Sequence, residues 1–136
     1  MRLLIPALMS IALLVQCTAP SATERPAAIQ FEVLSHGKDL DLNPHVAQGR
    51  FTVFDFYADW CPPCKELDRS LKDLKATYGD RLQIYKLDIV DWESELAQKR
   101  GIKDLPYLMV YGPDGKELAA GPSNRTLPAL IQNLNR

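Results

Sequence analysis

The sequence predicts an α/β fold in which helices cover both faces of a mixed central sheet. Strand-type and helix-type segments alternate along the chain in the order strand, helix, strand, helix, hairpin, helix. One of them, RFTVFDFYA (50–58), is so rich in aromatic and β-branched residues that it reads as a central strand buried on both faces. At 136 residues, 46% hydrophobic and 24% charged, the chain can form one domain around one core, not two.

Taken in order, residues 1–17 read as a signal peptide. Arg2 is followed by an apolar stretch, Leu3 to Val15, which is shorter than the roughly 20 residues that span a bilayer and fits the h-region of an export signal. Cys17, after Leu14-Val15-Gln16, resembles the end of a bacterial lipoprotein signal. That likeness implies lipidation of Cys17 as the mature N-terminus, and Thr18 after it points to the outer membrane; ordinary cleavage nearby is the alternative. Residues 18–28 form a Pro- and Ala-containing linker, and a folded domain is expected over 29–136.

Within that domain IQFEVL (29–34) alternates as a strand, and the chain turns through Gly37. Asn43 and Pro44 suit the cap and first position of a short helix ending near Gly49. After the 50–58 strand, Leu67, Leu71 and Leu74 recur at helical spacing until Gly79. LQIYKLDIV (82–90) is a second buried strand, and WESELAQKR (92–100) a helix before Gly101. YLMVY and KELAA flank Gly112-Pro113-Asp114-Gly115 as a hairpin, and Thr126 is expected to cap a last helix carrying Leu127, Leu130, Ile131 and Leu134.

Sixteen basic and 17 acidic residues, with no long run of either sign, leave no electrostatic footprint for nucleic acid. The chemistry is expected instead at WCPPCK, where Cys61 and Cys64 lie between a strand and a helix. A cysteine at a helix start meets the positive end of the helix dipole, which favours its thiolate. A second thiol one turn further in can resolve the mixed disulfide that the first one forms. Pro62 and Pro63 fit the first helical turn but withhold two N–H groups from the Cys61 thiolate, which leans the pair towards reducing. A plain disulfide clasp is the bland alternative. A zinc site would need His36 and His45 as well; eight residues, 37 to 44, separate them, too many for a finger-like pair. Both histidines are read as surface loop residues.

Asp55 is the one charge inside an otherwise apolar strand that begins at Arg50, where burial would raise its pKa unless it reaches solvent at the strand end. Trp60 reads either as a contact residue or as plain packing.

With DFYADWCPPCK (55–65), YKLDI (85–89), GIKDLPYLMVYGPDGKE (101–117) and Gly121 in that order, residues 29–136 resemble the thioredoxin family. The span from Cys64 to Pro106 is too short for the helical insertion of the cytochrome-maturation branch. The resemblance implies a thioredoxin-like three-layer α/β/α fold and thiol–disulfide oxidoreductase activity without cofactor or metal. Cys61 would be the nucleophile, Cys64 the resolving thiol, and the two would form the redox disulfide. Asp55 would take the proton of Cys64, with Lys86 as its partner. Leu105 would offer its backbone to a substrate strand, Pro106 would follow a cis bond, and Trp60, Pro106 and Gly121 would line one shallow groove with Tyr57 beneath. Protein disulfides or dithiols are the expected partners, in the bacterial cell envelope or periplasm. A separate membrane or periplasmic electron donor would serve a monomer whose contact with the membrane is a lipid anchor. The alternative is a redox-inactive or metal-handling binding module on the same fold.

Overall fold

The computed structural model describes residues 28–136; the expected signal segment, Cys17 and most of the linker lie outside them. Five strands, β1 (Glu32–His36), β2 (Phe51–Tyr57), β3 (Leu82–Asp88), β4 (Tyr107–Tyr111) and β5 (Glu117–Pro122), form one sheet in the order β1-β3-β2-β4-β5. β3 runs parallel to both β1 and β2, whereas β2–β4 and β4–β5 are antiparallel, so the sheet is mixed.

β2 lies at the centre because both its faces are apolar, and the side-chain alternation divides the core in two. Phe54 and Phe56 face one side, with Leu87, Ile89 and the helix α2 (Glu95–Arg100), whose Leu96 and Ala97 are buried. Phe51 and Val53 face the other, under Leu67 and Leu71 of α1 (Pro62–Tyr78) and Leu130 and Leu134 of α3 (Ser123–Leu134). The helices therefore cover both faces, as the order of segments requires. Gly79 ends α1, its N–H returning to the Lys75 carbonyl.

Several boundaries differ from those read in the sequence. β1 starts at Glu32 because its pairing with β3 starts there, and it runs on to His36 through an irregularity between Val33 and Ser35. The helix at Asn43 is one 3-10 turn, Asn43–His45, capped by Leu42; it stops because Val46 is extended, and Ala47 N–H goes to Thr52 Oγ1 at 3.0 Å. α2 starts at Glu95, since Ser94 takes the cap and accepts from Ala97 N–H. Thr126 is no cap: α3 begins at Ser123, and Thr126 is buried within it, its hydroxyl donating to the Pro122 carbonyl at 3.2 Å. The histidines stand in β1 and in the 3-10 turn rather than in loops. His36 ends β1 with Nδ1 3.1 Å from Asp88, and His45 packs edge-on to Tyr85.

Candidate active site

β2 delivers the site. Past its last residue, Tyr57, the chain turns through Ala58, Asp59 and Trp60, held by the Cys61 N–H on the Ala58 carbonyl at 3.1 Å. Cys61 is then the N-cap of α1, with Pro62 and Pro63 in the first two helical positions. A cap side chain ordinarily accepts from the second or third residue of its helix. Here Pro63 has no N–H to give, so the Cys64 N–H does so, 3.3 Å from Cys61 Sγ. Cys61 and Cys64 are joined as a disulfide with Cα atoms 5.4 Å apart. Both are nearly closed off from solvent, Cys61 at 4% exposure and Cys64 at 2%.

Asp55 does not reach solvent: it is fully buried in mid-strand, paired in register with Lys86 of β3. Lys86 Nζ is 3.3 Å from Asp55 Oδ2, but off line for a hydrogen bond, and neither Asp55 oxygen has a hydrogen-bond partner among the described residues. Burial pushes the Asp55 carboxyl up from 3.8 to about 6, against the pull of the Lys86 charge. The same ammonium lies 4.3 Å from the centre of the Tyr57 ring. Burial, followed by the charges of Asp88 and Asp59, pushes the Tyr57 phenol up to about 12, so that ring stays neutral.

The expected contact residues do not share one groove. Leu105 and Pro106, joined by a cis bond, line a cavity of about 570 Å³ with Pro63, Pro122 and Arg125. Gly121 is buried in β5 opposite Leu108, and its φ of 150° is open to glycine but strained for a side chain. Trp60 is turned to the other flank, because its indole N–H takes the carbonyl of Val90 at 2.6 Å. There it meets Trp92 edge-on, ring centres 5.5 Å apart, and stays half exposed. Tyr57 lines a separate cavity of about 440 Å³ with Cys64 and Lys86.

Two features went unread in the sequence. Asp68 and Lys72 line the cavity at Cys64; their signal was the four-residue spacing 64, 68, 72, which places all three on one face of α1. Val90 has a left-handed φ of 64°, rare for a β-branched residue. It is held by its N–H on Asp88 Oδ1 at 2.8 Å and by the Trp60 indole on its carbonyl. No sequence signal marks it.

A cysteine pair at a strand-to-helix junction, on a mixed sheet with a buried carboxyl in its central strand, defines a dithiol oxidoreductase. Residues 34–136 match the Thioredoxin family model, and the chain belongs to the thioredoxin family. It is 37% identical to thioredoxin from Bacillus subtilis over 98 residues, which covers 72% of this chain and 91% of that protein. Thioredoxin-T of Drosophila melanogaster is 32% identical over 95 residues, 69% of this chain and 60% of that longer protein. Among solved structures, the thioredoxin of Malassezia sympodialis superposes with a TM-score of 0.57 at 28% identity, covering 85% of this chain and 99% of that one. The chain is thus a thiol–disulfide oxidoreductase.

Proposed function

We propose that this oxidoreductase is exported and reduces disulfides of cell-envelope proteins. The observation that carries the reductive direction is the start of α1, where Pro62 and Pro63 leave the Cys64 N–H as the donor that meets Cys61 Sγ. A thiolate with few donors is poorly stabilised, and an oxidant needs a stabilised reduced form.

The Cys61 thiolate attacks one sulfur of the substrate disulfide, forming a mixed disulfide and releasing the first substrate thiolate. Asp55 then takes the proton of Cys64, and the Cys64 thiolate attacks Cys61 Sγ. The mixed disulfide breaks, the Cys61–Cys64 disulfide forms, and the second substrate thiolate leaves. Two electrons have passed to the substrate, so a dithiol donor must return them before the next cycle. Leu105 and Pro106, beside Pro63, are the surface on which a substrate strand would lie.

Cys61→Ser is expected to abolish reduction of a protein disulfide in the presence of a dithiol donor, whereas Cys64→Ser accumulates mixed disulfides. Equal residual activity in both variants contradicts the assignment of roles. Export rests on Arg2, the apolar stretch to Val15 and Cys17. Mass spectrometry of the mature protein is expected to find a lipidated Cys17; an unmodified N-terminus at Ser21 or Ala22 means a soluble exported protein instead.

A further inference from the structure

Lys86 stands between two carboxylates and leans to the one on the helix. Its Nζ donates to Asp68 Oδ1 at 2.7 Å, while Asp55 Oδ2 is 3.3 Å away without hydrogen-bond alignment. An ammonium has three donors, and of these two carboxylates only Asp68 accepts from it with hydrogen-bond geometry. Asp68 is itself anchored: Lys72, one turn further along α1, lies 2.6 Å from its other oxygen. Burial alone would raise the Asp68 carboxyl, but Lys72 and Lys86 outweigh it and hold the group below its ordinary value. It therefore stays charged and keeps its grip on Lys86.

We propose that Asp68 is a positioning residue that holds Lys86 off Asp55 and so keeps the Asp55 carboxyl available as the acceptor for the Cys64 proton. This rests on the reading of Asp55 as that acceptor. A fully hydrogen-bonded ion pair with Lys86 would favour the carboxylate and lower its affinity for a proton. A thiol gives up its proton near pH 8.5, and a carboxylate so stabilised would be a poor base for it. Burial is the main cause that raises the Asp55 carboxyl, and the negative charge of Asp68 acts in the same direction.

On the Asp55 side β3 presents Lys86, and the cavity that Lys86 shares with Cys64 is also lined by Asp59 ahead of α1 and by Lys65, Asp68, Arg69 and Lys72 of α1. Tyr57 on its own strand stays neutral. β4 and α3 present apolar side chains to that face, Leu108 and Val110 from the one and Leu130 and Leu134 from the other. Of the anions there, Asp68 is the one that accepts a hydrogen bond from Lys86 and so can draw it aside.

The test is a carbon-13 NMR titration of the Asp55 carboxyl in the disulfide form of the whole chain, together with the pH profile of mixed-disulfide resolution. In Asp68→Ala, Lys86 is free to turn to Asp55. The Asp55 midpoint is expected to fall by about 1 pH unit, as for an opposite charge brought into contact, and resolution to slow at neutral pH. Asp68→Asn keeps the side-chain shape and an acceptor for Lys86, so a smaller fall is expected; it also carries the test if the Ala variant does not fold. Lys86→Met should move the midpoint up. A midpoint unchanged or raised in both Asp68 variants overturns the proposal. The titration needs no activity: a wild-type protein that exchanges no disulfides sinks the functional reading, whereas an active one with an Asp55 midpoint insensitive to residue 68 sinks this inference alone.

Discussion

Asp55 makes the folded protein sensitive to pH over a narrow window. Its carboxyl titrates at about 6 in the fold against 3.8 as an ordinary aspartate. The folded state therefore holds this proton more tightly than the unfolded chain does. Linkage then makes stability fall as pH rises from about 4 to about 6, and the loss levels off near 3 kcal/mol above that. Asp55→Asn removes the charge but keeps a buried polar group, so it should stabilise the disulfide form by about 2 kcal/mol at pH 7 and by almost nothing at pH 4. Urea midpoints at the two pH values check this. With the role proposed for Asp55 as proton acceptor, the same change should slow resolution about 100-fold or more while the first attack by Cys61 changes little. An Asn variant that resolves normally and is less stable at both pH values would make Asp55 an ordinary structural residue.

At the scale of elements, the start of α1 sets the redox character of the pair. Pro63→Ala returns an N–H to the second helical position, from which it can reach the cap sulfur. A hydrogen bond to a charged acceptor contributes roughly 1.5–3 kcal/mol. Stabilising the Cys61 thiolate by that much should make the couple more oxidising by about 30 mV or more. Equilibration with glutathione measures it, and an unchanged or lower potential would show that the Cys64 N–H already meets the need. This element is legible in the sequence, as is β2, because a leucine spacing and an aromatic run are local signals. The start of α3 is not. Thr126 looks like a cap in sequence, but the Ser123 N–H bonds to the Pro106 carbonyl at 3.0 Å and starts the helix earlier. That contact joins residues far apart in the chain. The same holds for Lys86: its pairing with Asp55 is a matter of strand register, and its stronger bond to Asp68 a matter of how α1 lies on the sheet. Trp60 was misplaced because its acceptor, the Val90 carbonyl, is presented by a left-handed backbone that no local pattern predicts.

Across the whole molecule, the cysteine pair couples redox state to folding. The difference in folding stability between the disulfide and dithiol forms equals the difference in potential between the folded and unfolded couples, about 1.4 kcal/mol for each 30 mV. A reductant must be more stable as the disulfide. Three features favour that form here. One N–H, from Cys64, meets Cys61 Sγ; Cys61 and Cys64 are only 4% and 2% exposed, so a thiolate gains little from water; and the buried Asp55 carboxyl, in the strand that leads to them, penalises further negative charge nearby. The disulfide form is therefore expected to unfold at higher urea than the dithiol form at pH 7, with a similar slope. The margin should narrow in Pro63→Ala, where the reduced state gains a donor. Both midpoints can be measured on the same preparation, with and without a small dithiol reductant. A dithiol form more stable than the disulfide would mean that the fold favours the dithiol, and the protein would then act as an oxidase of protein thiols.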